Sequence, residues 1–125
     1  MKVMFSIKPQ YVERILSGDK IYEFRRRIYK RTDVDTLVIY STLPQGAVVA
    51  EASIEGILES TPLDIWNRTH RQGGIRKDKF MEYFKGSPSA FAIRLGTVRR
   101  FDQPIPLKAY SEKIDRPPQS FAYVD

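Results

Sequence analysis

Hydrophobic and polar residues alternate in several stretches of the chain, and this two-residue period predicts β-strands. The clearest is residues 48–58, in which aliphatic or small residues occupy the even positions while Glu51, Ser53 and Glu55 occupy odd ones. Further strands are predicted at residues 2–7, 36–40 and 90–95, with a terminal strand closing the stretch 116–124. The 36–40 strand is continuously apolar and is expected to be buried on both faces.

A short strand is also predicted at residues 21–25, directly after a glycine. Its β-branched and aromatic residues favour a strand over a continued helix. Because side chains alternate along a strand, Tyr22 and Phe24 share one face with the preceding Lys20, whereas Glu23 and Arg25 lie on the other. Glu23 and Arg25 are therefore predicted to pair side by side.

A helical period separates these strands in three places. Pro9 suits a helix start and Gly18 a left-handed helix end, with Val12 and Ile15 on the apolar side between them. A second helix is predicted after the Thr61-Pro62 pair, with Leu63 and Trp66 on its apolar side. The third helix, after residues 73–75, is rich in aromatic residues and ends near residue 86.

The second and third helices raise the alternative of a helix-turn-helix. A DNA-reading helix exposes polar groups to base edges, whereas the third helix carries aromatic residues that require burial. A helical cap packed on a sheet is the better interpretation, and duplex DNA is not the expected partner. The predicted fold class is α+β, a mixed sheet with short helices between strands, in a single domain over residues 1–125.

The overall charge makes polyanions plausible partners. The net charge is +6 and the pI is about 9.7, and cations that neutralise phosphates gain affinity by releasing counterions. The chain has no cysteine, which removes disulfides and thiol nucleophiles and favours a cytoplasmic location. We expect no cofactor, no metal and no membrane association, because no ligand cluster, signal peptide or long apolar run is present.

The densest chemistry lies in residues 18–25, where Lys20, Glu23 and Arg25 place an ammonium, a carboxylate and a guanidinium within six positions. Two interpretations are open from spacing alone. One is a solvated, charged edge strand, which is the common case for such residues. The other is a site for a polar or anionic ligand, with Arg25 donating paired hydrogen bonds and Lys20 acting as a point charge.

The order of these motifs resembles the ASCH domain family of the PUA-like superfamily. The resemblance rests first on a GxKxxExR pattern formed by Gly18, Lys20, Glu23 and Arg25. It is supported along nearly the whole chain by residues 6–9, the strand end 39–42, Trp66, and the segments 83–84 and 117–121.

The resemblance implies a PUA-like mixed β-barrel with short helices between its strands, and a cleft lined by the GxKxxExR residues that recognises RNA or a nucleotide. The ligand-binding residues expected on this basis are Lys20, Glu23 and Arg25, with Lys8, Tyr40, Ser41 and Thr42 around them. A nucleic-acid backbone is expected to follow Arg26, Arg27, Lys30 and Arg31.

An enzymatic alternative comes from members of the same family that resemble acetylated-cytidine amidohydrolases or ribonucleases. The amidohydrolase pattern has a threonine three residues after its lysine, and this chain has Glu23 there instead. The candidate catalytic groups are Lys20, Glu23 and Glu51. His70, the only histidine, lies in a polar helix-end segment where solvent exposure is the expected state.

A regulatory protein-interaction module is the third alternative, since basic faces also bind acidic proteins. The sequence leaves ligand identity, oligomeric state and pathway open.

Overall fold

A computed structural model describes residues 1–124 of the chain. The strands are β1 (Lys2–Ile7), β2 (Tyr22–Arg25), β3 (Thr36–Ser41), β4 (Ala47–Ser60), β5 (Ala90–Ile105) and β6 (Phe121–Val124). The helices are α1 (Pro9–Ser17), α2 (Pro62–Thr69), α3 (Lys77–Tyr83) and α4 (Leu107–Tyr110), with a 3₁₀ turn at His70–Gln72 after α2.

The six strands form one sheet in the order β2-β5-β4-β3-β1-β6. Only the β1–β3 pair is parallel, and the other neighbours run antiparallel. The sheet curls into a half-barrel, so that β2 at one edge approaches β1 near the other. This curl creates the space between β1, β2 and α3 that the site described below occupies.

The two faces of the sheet carry separate hydrophobic clusters. On β1, Val3 and Phe5 belong to a first cluster and Met4 to a third, as expected for a strand buried on both sides. β3 alternates in the same way, which confirms the prediction for residues 36–40. Helix α1 covers the first cluster through Val12 and Ile15.

A second cluster forms beneath α2 and α3, where Ile65, Phe80 and Phe84 pack against Tyr22 and Phe24 of β2. The Phe80 and Phe84 rings are 0% and 2% exposed. The aromatic residues of α3 thus anchor the helix to the sheet, and the two helices form the predicted cap.

The local helix signals are confirmed. Pro9 is the first residue of α1, and Gly18 ends the helix at φ 88° in the left-handed region. The Thr61 side chain accepts a hydrogen bond from the Asp64 amide at 3.2 Å and caps α2. None of the helices within residues 1–124 has both the length and the apolar character needed to cross a bilayer.

Two details differ from the sequence prediction. β5 does not end at residue 95 but continues to Ile105, because β4 is 14 residues long and offers a continuous partner. Arg99 and Arg100 therefore lie within this strand. Leu63 was expected on the apolar side of α2, yet it is 55% exposed, and Ile65 is the fully buried residue of that helix.

Candidate functional site

A cleft of about 450 Å³ opens between the end of β1, strand β2 and the polar side of α3. Both interpretations of residues 18–25 place charge at this strand, but only a ligand site requires the side chains to converge on a concave surface. The cleft is lined by Ser6, Ile7, Lys8, Tyr11, Lys20, Glu23, Phe24, Arg25, Arg26, Ile75, Lys79, Glu82 and Tyr83.

Lys20 is the most buried charged residue of the cleft, with 3% of its surface exposed. Its Nζ donates a hydrogen bond to the Gly73 carbonyl at 2.7 Å and lies 4.5 Å from the centroid of the Phe24 ring. Burial lowers the pKa of Lys20 from 10.5 to about 8, although the nearby Glu23 carboxylate opposes the shift. An ammonium held this way retains donor capacity that a ligand can use.

The segment 72–74 holds this end of the cleft together. Its three consecutive carbonyls accept hydrogen bonds from the Ile21 amide (2.9 Å), from Lys20 Nζ and from Arg14 Nη1 (2.6 Å). Gly74 has φ +61°, and a Cβ added there would lie 2.6 Å from Cβ of Lys20. Glycine is required at this position because the loop packs directly on the stem of Lys20.

Arg25 and Glu23 form the predicted side-by-side pair. Oε2 of Glu23 accepts from Arg25 Nε at 3.0 Å and lies 2.8 Å from Nη2. Nη2 also donates to the Ser6 carbonyl at 2.8 Å, which links β2 to β1 across the seam of the curled sheet. The Arg25 guanidinium, 4.6 Å from the Phe5 ring centroid, is thus fixed by three contacts, and Oε1 of Glu23 is not used by it.

Helix α3 supplies the opposite wall through Lys79, Glu82 and Tyr83. These residues were missed at the sequence level, where the helix was interpreted from its aromatic content alone. Their spacing of three and four residues places them on one helix face, adjacent to the buried Phe80–Phe84 face. The polar residues on this helix face are the sequence signal from which this wall of the cleft could have been predicted. The Arg26 guanidinium carbon lies 4.7 Å from the centroid of the Tyr83 ring.

The predicted ligand contacts on the β3 end do not line the cleft. Lys8 does, together with the three motif residues. Tyr40 is part of the third cluster, on the other face of the sheet. Ser41 is fully buried and its Oγ has no hydrogen-bond partner within residues 1–124, while the Thr42 amide donates to the Ile7 carbonyl at 3.0 Å. None of these three residues lines the cleft, so a contact between them and a ligand stays a prediction.

Glu51 also lies outside the cleft. Its carboxylate accepts hydrogen bonds from Lys2 (2.8 Å), Tyr110 (2.8 Å) and Arg99 (3.1 Å). Burial alone would raise the pKa of Glu51, but these three donors hold it below its usual value. The second carboxylate proposed beside Lys20 is therefore a structural group that ties β1, β5 and α4 together.

His70 stacks on Trp66 with 5.3 Å between the ring centroids and is exposed, as expected. It does not line the cleft.

The four basic residues predicted to follow a nucleic-acid backbone separate into two pairs. Arg26 lines the cleft, and Arg27 lies next to it in an adjoining depression. Lys30 and Arg31 line neither, and their amides donate to the Tyr123 hydroxyl at 3.2 Å. Arg31 also forms an ion pair with Asp33 at 2.6 Å.

We expect Lys20 to titrate near pH 8. Because the unfolded chain keeps this lysine protonated up to about pH 10.5, the folded state binds fewer protons between these values. The contribution of this group to folding stability therefore rises with pH over that interval. An NMR titration of the Lys20 side-chain ¹³Cε signal measures the pKa directly. A Lys20 signal that titrates near pH 10.5 contradicts the described burial.

The chain is similar to known proteins in both sequence and structure. The family model described as "Domain of unknown function (DUF365)" matches residues 1–112. A protein of Zymomonas mobilis named "ASCH domain-containing ribonuclease" is 31% identical over 128 aligned residues, which include 98% of this chain and 84% of that protein.

Two crystal structures of ASCH from Zymomonas mobilis superpose closely on this fold. One is 29% identical in sequence with a TM-score of 0.90 and covers 99% of this chain and 87% of its own. The other, a mutant of the same protein, is 28% identical with a TM-score of 0.90 and covers 99% and 90%. The curled sheet with short helices is therefore the ASCH arrangement, which confirms the predicted PUA-like fold.

Proposed function

We propose, because this chain belongs to the ASCH domain family, that its cleft binds single-stranded RNA. The observation that carries the proposal is the convergence of the buried Lys20 ammonium and the fixed Arg25 guanidinium on one concave surface beside aromatic rings. The relative named as a ribonuclease supports RNA as the ligand class.

The charge of the lining favours an anionic ligand. Its cations are Lys8, Lys20, Arg25, Arg26 and Lys79, and its carboxylates are Glu23 and Glu82. Five cations against two carboxylates leave an excess of three positive charges, which suits a phosphate and its neighbours. The cleft is also concave and has the volume typical of small-ligand sites.

The shape of the site favours an unpaired nucleotide over a duplex. Tyr11, Phe24 and Tyr83 present rings in the lining, and exposed bases of single strands stack on such rings. The Glu23 carboxylate lines the cleft, and it would accept a hydrogen bond from a base or a ribose hydroxyl. A base that remains stacked in a helix cannot reach the buried Lys20.

The proposal is tested by fluorescence anisotropy with a labelled, mixed-sequence single-stranded RNA and with duplex DNA of equal length. We expect RNA to bind more tightly, and log Kd to change linearly with log salt with a slope of about 0.7 for each phosphate contact. Affinity that is independent of salt, or equal affinity for an acidic peptide of matched charge, argues against RNA recognition.

RNA cleavage is the second candidate function, favoured by the position of Glu23 next to a lysine whose pKa is about 8. In this scheme Glu23 accepts the proton of a ribose 2′-hydroxyl, and the 2′-oxygen attacks the adjacent phosphorus. The bond to the 5′-oxygen of the next nucleotide breaks, which leaves a 2′,3′-cyclic phosphate. The 5′-oxygen takes up a proton from water, and Glu23 returns its own proton to the solvent. The Lys20 ammonium stabilises the charge that develops on the phosphoryl oxygens.

Substitution Glu23→Gln is expected to lower turnover of single-stranded RNA about 10²- to 10⁴-fold, the usual range for loss of a general base. RNA affinity should change far less, because the amide keeps the size and one acceptor of the side chain. Gel analysis of a labelled RNA under single-turnover conditions measures the effect. Glu82→Gln, which alters the other carboxylate of the lining, is the matched control. This variant should cleave the RNA at the wild-type rate.

The 2′-hydroxyl provides an independent check on this second candidate. RNA with 2′-O-methyl groups should bind the cleft but stay intact, since it lacks the attacking hydroxyl. Cleavage of the methylated strand, or equal loss of turnover in both glutamine variants, overturns the cleavage scheme and leaves the binding proposal standing.

A further inference from the structure

A second cleft of about 790 Å³ adjoins the first and shares its wall. Arg25, Arg26 and Tyr83 line both clefts. The remaining lining comes from Arg27, Lys85, Gly86, Ser87, Pro88, Ser89, Gln119 and Ser120. The two depressions are therefore consecutive parts of one path that crosses the end of β2 and the C-terminal end of α3.

The second cleft differs from the first in having no carboxylate in its lining. Arg26, Arg27 and Lys85 are exposed there, and none of the three forms an ion pair with a carboxylate of residues 1–124. Basic residues elsewhere, such as Arg31, Arg76 and Arg99, are paired with acids. The second cleft therefore combines three cations that have no ion pair within residues 1–124 with a lining that contains no carboxylate.

The boundary between the clefts is a ridge formed by Arg26 and Tyr83. The Arg26 guanidinium lies 4.7 Å from the centroid of the Tyr83 ring, and the Tyr83 ring packs edge-on against the buried Phe84 at 4.8 Å. This packing fixes the ring and orients the guanidinium over it. A planar guanidinium at a ridge donates to phosphate oxygens on either side.

The far wall presents polar groups of modest size. Ser87, Ser89, Gln119 and Ser120 provide hydroxyls and an amide. Such groups donate and accept hydrogen bonds and suit ribose hydroxyls and base edges. Basic and neutral polar groups together, without a carboxylate, are the pattern of a nucleotide site and not of a site for an apolar ligand.

We propose that the second cleft is a binding site for the neighbouring nucleotide, so that the protein recognises an RNA strand of at least two nucleotides and not a free nucleotide. One nucleotide occupies the Lys20 cleft, the next lies in the second cleft, and the phosphate that joins them contacts Arg26 at the ridge. Arg27 and Lys85 bind the phosphate on the far side. This inference rests on the proposed RNA-binding function and specifies its ligand class.

The experiment compares ligands of increasing length against a variant of the second cleft. The probes are a mixture of the four ribonucleoside monophosphates and mixed-sequence RNAs of two, four and six nucleotides, titrated by NMR and by anisotropy. The variant is Arg27→Ala combined with Lys85→Ala, two exposed residues outside the Lys20 cleft. The control is Arg71→Ala combined with Lys108→Ala, which removes the same charge from exposed residues of neither cleft.

We expect the wild-type protein to bind the six-nucleotide RNA at least about 10-fold more tightly than the monophosphates. The Arg27/Lys85 variant should lose about 10-fold in affinity for the longer RNA and about 1.4 in the salt slope, while its weak monophosphate binding stays unchanged. The Arg71/Lys108 control should bind all probes like the wild type.

Two outcomes refute the second binding site and leave the proposal for the Lys20 cleft unaffected. One is affinity that does not increase from monophosphate to six nucleotides. The other is an equal effect of the two double variants, which indicates a general charge effect. Absence of all RNA binding by the wild-type protein instead refutes the proposed function, and with it this inference.

Discussion

Replacement of Lys20 by methionine is expected to lower affinity for single-stranded RNA about 10- to 100-fold. A hydrogen bond to a charged group contributes about 1.5–3 kcal/mol to binding. Among the described residues that line the cleft, Lys20 is the only lysine that is buried. Methionine retains the length and the apolar stem, so that the packing on Phe24 and Gly74 is preserved. The measurement is anisotropy at fixed salt.

The same substitution should leave folding stability unchanged or raise it. The loss of the hydrogen bond from Lys20 Nζ leaves the Gly73 carbonyl unpaired, which costs about 1–3 kcal/mol of folding stability. The removal of a buried ammonium offsets this, because the lowering of the Lys20 pKa to about 8 corresponds to roughly 3 kcal/mol of unfavourable burial at neutral pH. Lys20 also forms no salt bridge with any of residues 1–124. A buried charge that lowers folding stability and has no salt-bridge partner is typical of a functional site.

Urea denaturation of Lys20→Met and of the exposed-site control Lys108→Met separates the two effects. The control should match the wild-type protein in both stability and RNA affinity. A Lys20→Met protein that is folded and binds RNA normally shows that the buried lysine is not part of the binding surface.

Substitution of Gly74 by alanine is expected to destabilise the protein by about 2–5 kcal/mol and to weaken RNA binding. The left-handed backbone, at φ +61°, costs a β-carbon about 1–2 kcal/mol. The new methyl group also lies 2.6 Å from Cβ of Lys20, and such overpacking costs about 1–3 kcal/mol more. Since Lys20 Cβ is fixed next to the backbone, the loop or the lysine must move.

Gly18→Ala is the matched control for this prediction. Gly18 has φ +88° but no atom within 4 Å of an added Cβ, so it carries the backbone cost without the steric one. We expect a loss of about 1 kcal/mol in urea denaturation and normal RNA affinity. Equal destabilisation by the two alanine substitutions refutes the close packing of Gly74 on Lys20.

The elements of the fold were predictable because local rules and burial agree in them. Pro9 and Gly18 delimit α1, and the apolar run that follows Thr36 matches a strand with a hydrophobic cluster on each face. The length of β5 was not predictable in this way. Its outer half is stabilised by pairing with β4, and that tertiary partner is invisible in the periodicity of residues 96–105.

Part of the candidate site followed from the sequence. The motif spacing predicted the Glu23–Arg25 pair, since residues two apart on a strand share a face. The loop 72–74 and the α3 wall were not predicted, because they are more than 45 residues away in sequence from Lys20 and meet it only when the sheet curls. Periodicity describes which face a residue occupies but not which distant face it meets.

The same reason applies to two predicted site residues that lie outside the cleft. Glu51 and Tyr40 have the chemistry and the strand positions of site residues, but the alternation at Tyr40 directs its ring to the other face of the sheet. Glu51 meets Lys2, Arg99 and Tyr110 there instead of Lys20.

Cytoplasmic location stays a prediction from composition.

The most direct test of the central claim is a ¹H–¹⁵N chemical-shift map of the protein titrated with single-stranded RNA of six nucleotides. We predict that the largest changes fall on residues 18–27 and 72–89, which surround the two clefts, with little change along the outer half of β5. Changes centred on Arg99 and Arg100, or spread evenly over all basic residues, contradict RNA binding at the Lys20 cleft.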